Sequence, residues 1–336
     1  MSDRILNIEN LKVSFDTYAG EVQAVRGVSF YVDRGETLAI VGESGCGKSV
    51  TVQTIMKLIP MPPGRLKEGL IEYCGRNIAS FSDKKMESLR GKEMSMIFQD
   101  PMTSLNPTMR VGRQILEGLK KHNKVIKNEA EKQIIKILKD VGIPNPDKNM
   151  LRYPHMFSGG MRQRVMISIA LACNPKILFA DEPTTALDVT TQAQILELMN
   201  DLKEKLGTSI VLITHDLGIV ARMADRVAVM YAGKIVETGS TNDIFYSPKH
   251  PYTVGLLKSL PKVDAAKHKP LEIIPGTPSS LIDPPQGCAF APRCKYSMNI
   301  CRRAEPPESK IKEGHFSSCW LLDDRAPKVE FIKEGI

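Results

Sequence analysis

The sequence lacks any apolar run long enough to cross a membrane. Its longest apolar stretches, such as Val165–Cys173 and Ile210–Ile213, fall well short of the roughly 18 residues that make a spanning helix plausible. The N-terminal residues alternate polar and apolar side chains and lack the continuous apolar centre of a signal peptide. We therefore expect a chain that stays in the cytosol and does not cross a membrane by itself.

Disulfide bonds are not expected either. Thiols are kept reduced in the cytosol, so the seven cysteines are predicted to be free thiols or metal ligands. The net charge of +8 is concentrated, because Thr108–Ile143 holds nine Lys or Arg against four Asp or Glu. Such a segment suits a position beneath an anionic membrane, and a solvated helix face explains it equally well.

The apolar spacing predicts an α/β fold. Alternation within residues 11–15 and 28–32 indicates two half-buried strands, and Thr37–Val41 indicates a buried strand that leads into a glycine-rich loop. Helical spacing from Val111 to Val141 indicates a helical insert.

The second half of the chain shows a change in pattern. Short β-rich runs at 177–180 and 210–213 enclose a helical pattern at 192–206, which is typical of parallel strands joined by a crossover helix. After about residue 240, frequent prolines interrupt regular secondary structure. Because 336 residues are enough for two domains, we predict one domain at residues 1–240 and a C-terminal extension at residues 241–336.

A glycine-rich loop follows the third predicted strand. Residues 42–49 read GESGCGKS, which fits the phosphate-binding pattern G-x4-G-K-S. The glycines allow a tight turn whose N–H groups point at phosphate oxygens, and the helix that follows adds its positive end. Lys48 can reach the outer phosphates, and the Ser49 hydroxyl can bind Mg²⁺. The predicted ATP-binding residues of this loop are Gly42, Ser44, Gly45, Cys46, Gly47, Lys48, Ser49 and Val50.

An apolar strand that ends in two acids supplies the second part of a nucleotide site. Residues 177–182 read ILFADE, and neighbouring side chains on a strand point in different directions. Asp181 is predicted to hold Mg²⁺ through water, and Glu182 is predicted to be the general base that activates the attacking water. Acids at strand ends are common, so this prediction depends on the phosphate loop.

Further motifs stand in a fixed order around these two. Residues 157–161 read FSGGM, Gln99 lies in FQDP, Asp188 ends ALD, and His215 lies in LITHD. With this series the chain resembles the ATP-binding cassette (ABC) family over at least residues 5–240. The resemblance implies an α/β P-loop NTPase core with a parallel sheet, an N-terminal antiparallel β subdomain and an α-helical insert at about residues 100–160.

The resemblance also implies roles for single residues. Ser158, Gly159 and Gly160 would contact the γ-phosphate held by a second cassette, where a glycine pair lets the backbone approach an anion. The remaining implied residues are Gln99 for Mg²⁺ or the attacking water, His215 for the γ-phosphate and its geometry, Asp188 for the D-loop, and Tyr18 for stacking on adenine.

The chain departs from the family pattern at three positions, of which Phe157, in place of leucine, is a conservative change. Met161 replaces the glutamine of the family signature and cannot make that side chain's hydrogen bonds, so its contact with nucleotide is in doubt. Val50 stands where many relatives have threonine, so one phosphate contact there must come from the backbone. For Tyr18, a surface tyrosine without a role in binding is the alternative.

Four of the seven cysteines lie in the C-terminal extension, at Cys288, Cys294, Cys301 and Cys319. Four thiolates suit zinc or a 4Fe-4S cluster, and the closely spaced pairs typical of zinc sites are absent. The His-Pro-Tyr segment at 250–252, followed by this tail, resembles the ATPase subunits of oligopeptide and dipeptide importers, in which a 4Fe-4S cluster is associated with such a tail. A structural cluster is therefore predicted, with zinc or unliganded thiols as alternatives.

The combined resemblance implies a translocase ATPase that powers peptide uptake from the cytoplasmic face of the membrane, where it would be peripheral. The implied partners are a second and different ATPase subunit, two transmembrane permeases and an extracytoplasmic peptide-binding protein, without nucleic acid. The alternatives are an importer ATPase for nickel or another small solute, a nucleic-acid-associated ABC ATPase, and a purely regulatory nucleotide-binding module. Intact Lys48, Glu182 and His215 argue against the last of these.

Overall fold

Two compact units make up the computed structural model, which describes residues 3–100, 104–123, 127–185, 187–260 and 273–329. The first unit is formed mainly by Ser80–Ile213, with Met1–Ile5 and Val32–Thr37. The second unit is formed by Leu6–Tyr31, Leu38–Ala79 and Thr214–Ile336. Within the described ranges, no helix combines the length and the apolar character needed to cross a membrane.

The second unit contains an antiparallel sheet with the strand order β2-β1-β4-β5. Its strands are β1 (Arg4–Thr17), β2 (Gly20–Asp33), β4 (Gly64–Tyr73) and β5 (Arg76–Asn77). β1 pairs with β4 in a register that sets Leu6 opposite Tyr73 and Phe15 opposite Gly64. The predicted N-terminal antiparallel β subdomain is confirmed.

A mixed sheet in the same unit carries the phosphate loop. β3 (Thr37–Val41) runs parallel to β9 (Arg226–Tyr231), which pairs antiparallel with β10 (Lys234–Ser240). β12 (His315–Ser317) then pairs with β10, and β11 (Ser309–Lys312) pairs with β12. The extension, which its sequence predicts to be loop-rich, therefore adds a hairpin to the sheet.

The second unit also contains five described helices, one after β3 and the others after residue 216. They are α1 (Lys48–Ile55), α8 (Leu217–Met223), α9 (Thr241–Tyr246), α10 (Pro251–Lys258) and α11 (Asn299–Arg303), and short 3-10 turns occur at Ala291–Arg293 and Trp320–Leu322.

The extension shares its hydrophobic core with the strand that precedes the phosphate loop. Val41 of β3 and Val229 of β9 belong to the same buried cluster as Tyr252 of α10 and Phe290. The rings of Tyr231 and Tyr252 lie 4.7 Å apart between centroids, and each lies 5.3 Å from the ring of Phe290. Such tilted and edge-on ring contacts stabilise the packing beyond the area they bury.

The first unit contains three parallel strands, β6 (Met94–Ile97), β7 (Ile177–Asp181) and β8 (Ser209–Thr214), in the order β8-β7-β6. Every residue of β7 and β8 is buried, as expected of a parallel sheet covered on both faces. The unit's helices here are α2 (Asp83–Leu89), α6 (Gly159–Leu171) and α7 (Val189–Leu206). The predicted parallel strands with a crossover helix are confirmed.

The predicted helical insert is also present in the first unit. It consists of α3 (Val111–Asn123), α4 (Lys127–Asp140), α5 (Pro146–Asn149) and a 3-10 turn at Pro154–Met156. Ile115 and Leu119 of α3 are buried, as are Ile134 and Leu138 of α4, so one apolar face of each helix faces the interior. The described basic side chains at 120, 132, 136 and 139 are exposed.

Candidate functional site

The phosphate loop, residues 42–49, has a backbone that only glycine can adopt at two positions. Gly42 has φ +154°, and a Cβ there would lie 2.1 Å from the Met230 carbonyl oxygen. Gly47 has φ +104°, and a Cβ there would lie 2.2 Å from the Ala24 carbonyl oxygen. Both are positive φ values with no space for a side chain, so the two glycines of the motif fix the turn.

Lys48 begins helix α1, and its ammonium group lies over this loop. The side chain is buried, and Nζ donates to the carbonyl oxygens of Gly42 at 2.8 Å and Glu43 at 2.9 Å. Burial raises the pKa of the Cys46 thiol, so this cysteine is a small neutral loop residue beside the ammonium. Ser44 and Gly45 are exposed, while Ser49 and Val50 are half-buried.

Two predicted site residues of the second unit lie at exposed turns. Tyr18 stands in the turn between β1 and β2 and is fully exposed. His215 directly follows β8 and is exposed. The next residue, Asp216, caps helix α8, because its carboxylate accepts the N–H of Gly218 at 2.7 Å. The roles of Tyr18 and His215 remain predictions.

The predicted site acids Asp181 and Glu182 lie at the C-terminal end of strand β7: Asp181 is its last residue and Glu182 follows it. Asp181 is buried, and Glu182 is half-buried. The Glu182 carboxylate accepts from the Gln99 amide at 3.0 Å and from the Thr185 hydroxyl at 2.9 Å. The structure thus brings Gln99 and Glu182 together and adds Thr185, which the sequence reasoning missed.

The backbone of Glu182 is strained. Its φ is +45°, in the left-handed region that a residue with a Cβ avoids, and its N–H donates to the Ile213 carbonyl at 2.9 Å. Such a conformation costs on the order of 1–3 kcal/mol and is concentrated at functional sites. The carboxylate itself is held by its hydrogen bonds from Gln99 and Thr185.

The segment FSGGM begins helix α6. Ser158 is its N-cap, and Ser158 Oγ accepts the N–H of Met161 at 3.3 Å. A side chain at Gly160 would require Thr191 to shift, because a Cβ there would lie 2.6 Å from Thr191 Cγ2. The backbone of Met161, rather than its side chain, thus takes part in the cap.

Asp188 has a structural role that its motif did not predict. It is the N-cap of helix α7, and its carboxylate accepts the N–H of Thr191 at 3.0 Å. This hydrogen bond is the main reason why the pKa of Asp188 lies below its usual value. Gln163 of α6, also missed from the sequence, donates to the Pro183 carbonyl oxygen beside Glu182.

The four cysteines of the extension line one small cavity in the second unit, together with Phe290 and Trp320. The N–H of Cys288 donates to the Cys301 carbonyl at 2.7 Å. Burial raises the pKa of Cys294 to about 11 and that of Cys319 to about 12. None of the seven cysteines, all of which lie within the described residues, forms a disulfide bond. Within the described ranges, no group of three or more His, Cys, Asp or Glu side chains has the geometry of a metal site.

Comparison with known proteins identifies the relatives of this chain. A family model described as ABC transporter matches residues 25–185, and one described as oligopeptide/dipeptide transporter, C-terminal region, matches residues 236–301. The chain is 61% identical to the oligopeptide transport ATP-binding protein OppD of Bacillus subtilis, over 97% of this chain and 91% of that protein. It is 54% identical to the dipeptide transport ATP-binding protein DppD of the same organism, over 96% of each chain.

Solved structures show the same fold. The dimeric cassette MJ0796 in a post-hydrolysis state bound to ADP and Pi has a TM-score of 0.63 at 25% identity, covering 70% of this chain and 98% of that one. CbiO1 from Clostridium perfringens, part of the ABC transporter complex cbiONQ, has a TM-score of 0.62 at 29% identity, covering 73% and 91%. The phosphate loop, the FSGGM helix and the strand-end acids are thus those of an ATP-binding cassette. The chain belongs to the ABC transporter family of ATPases, in the branch that carries the oligopeptide/dipeptide transporter C-terminal region.

Proposed function

We propose that this chain is the ATP-hydrolysing, nucleotide-binding subunit of an importer that moves di- and oligopeptides across the cytoplasmic membrane. The observation that carries the proposal is the identity of 54–61% to peptide transport ATP-binding proteins over nearly the whole chain, including the extension. The cassette alone would fit a transporter of any solute, so the match of the extension favours peptides over nickel.

The phosphate loop, together with Val50 after it, is proposed to bind the phosphates of ATP through Gly42 and residues 44–50. Its glycine-built turn and the start of helix α1 present N–H groups to an anion. Lys48 would exchange its two carbonyl partners for phosphate oxygens, and Tyr18 would stack on adenine. Residues 1–240 are proposed as the cassette and residues 241–336 as the extension.

Hydrolysis is proposed to depend on Glu182 as general base, assisted by Gln99 and His215. The hydrogen bonds from Gln99 and Thr185 leave the Glu182 carboxylate fixed in direction, which supports this role. Ser49, Gln99 and Asp181 offer the hard oxygen donors that Mg²⁺ requires, so these residues fit that ion. Bound Mg²⁺ would neutralise phosphate charge.

The remaining proposed contacts involve a second cassette. Ser158, Gly159 and Gly160 would approach the γ-phosphate bound by a partner cassette, and Asp188 would lie near the same boundary. The capped start of α6, where backbone N–H groups are presented, supports this proposal. The proposed partners are a different ATPase subunit, two permeases and a peptide-binding protein, with this chain bound peripherally at the cytoplasmic face.

Uptake measurements in the host cell test the peptide assignment. We expect disruption of the chain to abolish uptake of labelled di- to tetrapeptides, and re-expression of the parent chain to restore it, while Glu182→Gln does not. Labelled nickel and labelled free amino acids are the controls. Loss of nickel uptake with intact peptide uptake would contradict the proposal, and ATPase activity stimulated by DNA or ribosomes without copurified permeases would favour the nucleic-acid alternative.

The four-cysteine cavity is proposed to hold a 4Fe-4S cluster. Cys288, Cys294, Cys301 and Cys319 supply four sulfur donors around one cavity, a donor set that fits a cluster of this kind or zinc. The bound group would tie four points of the extension together and favour the thiolate form of cysteines that burial otherwise keeps protonated.

Metal analysis of protein purified without oxygen tests the cluster. We expect about four iron and about four sulfide per chain, and a loss of both in Cys294→Ser. Cys173→Ser, which changes a half-buried thiol that does not line the cavity, is the matched control and should keep its iron. About one zinc per chain, or no metal at all, would establish one of the two alternatives instead.

A further inference from the structure

The C-terminal extension holds Glu43, the second residue of the phosphate loop. The backbone N–H of Glu43 donates to the Tyr252 hydroxyl at 2.9 Å. The Glu43 carboxylate accepts two hydrogen bonds from the Arg293 guanidinium, at 2.6 and 2.9 Å. The remaining polar group, the Glu43 carbonyl, accepts from Lys48 Nζ at 2.9 Å. The same carbonyl also accepts the N–H of Cys46 at 3.4 Å, so every polar group of Glu43 is used, and two of its four partners belong to the extension.

Arg293 is a fixed anchor for this contact. Its side chain is only 4% exposed, whereas that of Glu43 is 27% exposed. Arg293 Nε also donates to the Pro275 carbonyl at 2.9 Å, and Nη1 lies 3.4 Å from the Tyr231 hydroxyl. The bidentate hydrogen bond to the Glu43 carboxylate requires the planar guanidinium group, and a lysine cannot form it.

Tyr252 is equally fixed. Its ring is completely buried between Tyr231 and Phe290, and its backbone N–H donates to His250 Nδ1 at 3.1 Å, which caps helix α10. The hydroxyl therefore presents its oxygen to the Glu43 N–H from a position that the core of the unit determines. The extension also reaches strand β2, because the N–H of Gln23 donates to the Leu281 carbonyl at 2.7 Å.

We infer that Arg293 and Tyr252 are positioning residues for nucleotide binding, because they hold Glu43, and with it the phosphate loop and Lys48, in the shape that receives phosphates. The inference rests on the proposed role of this loop in ATP binding. A loop released from Glu43 would adopt other shapes, and its apparent affinity would fall with the fraction that remains competent.

The test replaces each partner of the ion pair and measures MgATP binding to the purified chain. Arg293→Gln and Glu43→Gln are each expected to weaken the affinity about tenfold. In the assembled transporter, the same variants are expected to raise the KM for ATP more than they lower kcat. Loss of folded protein would instead lower kcat and leave KM unchanged, so the two explanations are distinguishable.

The matched control is Glu305→Gln. It removes a carboxylate that pairs with Lys234 and Arg26, outside the phosphate loop, and should bind MgATP like the parent. The double variant Arg293→Gln/Glu43→Gln should bind MgATP about as tightly as whichever single variant has the lower affinity, because the two residues act as one unit. If Arg293→Gln does not fold, Arg293→Lys takes its place in the test. It keeps the positive charge but cannot form the bidentate hydrogen bond to the Glu43 carboxylate.

The outcomes separate this inference from the function on which it rests. Parent protein that fails to bind MgATP would overturn the proposed ATP site. Parent protein that binds MgATP, with both single variants equal to it, would overturn the positioning role alone. Additive losses in the double variant would also overturn it, because the two residues would then act independently.

Coupling between two sites is reciprocal, so bound nucleotide should also stabilise the extension. We expect MgATP to slow amide hydrogen exchange in residues 288–303 of the parent, and to have little effect in Arg293→Gln. Exchange in this segment that does not respond to saturating MgATP in the parent would contradict the inference, whatever the binding constants of the variants.

Discussion

Replacing Glu182 with glutamine is expected to lower ATP turnover by about 10²- to 10⁴-fold, the usual contribution of a general base. Glutamine has nearly the same shape, and its amide oxygen can still accept hydrogen bonds from Gln99 and Thr185. It cannot take a proton from water. The rate of phosphate release by the assembled transporter, measured at saturating MgATP, checks this expectation.

Binding should change little in the same variant. We expect the dissociation constant of MgATP to stay within about threefold of the parent value, because the removed group acts in the transition state rather than in the ground state. Glu197→Gln, which neutralises an exposed carboxylate on helix α7, is the matched control and should keep parental turnover. Turnover retained in Glu182→Gln would assign the base to another residue.

The elements that could be predicted from the sequence are those whose structure restricts the residue types allowed at each position. Strands β3, β7 and β8 are short apolar runs because both faces of a parallel strand are covered. Gly42 and Gly47 mark the phosphate loop because no other residue fits their φ and their close neighbours. In each case one local requirement determines which residues are allowed.

Elements that depend on backbone pairing were missed. Strand β11 reads SKIK and alternates half-buried and exposed residues, so its apolar content is too small to indicate a strand. It forms because β12 offers unpaired backbone groups beside β10. The prolines after residue 240 correctly indicated loops in the described residues 273–290, yet they carry no information about this hairpin.

Contacts between distant parts of the chain were also beyond the sequence. The pair formed by Glu43 and Arg293 joins residues 250 positions apart, and nothing in either local sequence indicates the other. Thr185 lies three residues from Glu182 and donates to its carboxylate, next to a left-handed backbone at Glu182 that the local sequence does not indicate. Motif order predicted which residues belong to the site, while the fold determined what supports them.

Replacing Lys48 with methionine is expected to weaken MgATP binding by about 10²-fold or more, since one or two charge-assisted hydrogen bonds to phosphate are lost. The effect should exceed that of Arg293→Gln, because Lys48 would contact the phosphates directly and Arg293 acts through Glu43. Lys67→Met, at an exposed lysine that pairs with Glu21 in the same unit, is the matched control. Equilibrium binding of MgATP to the three variants gives the order. An Arg293 effect as large as that of Lys48, or a Lys48 variant that binds like the parent, would contradict the assignment of Lys48 to the phosphates.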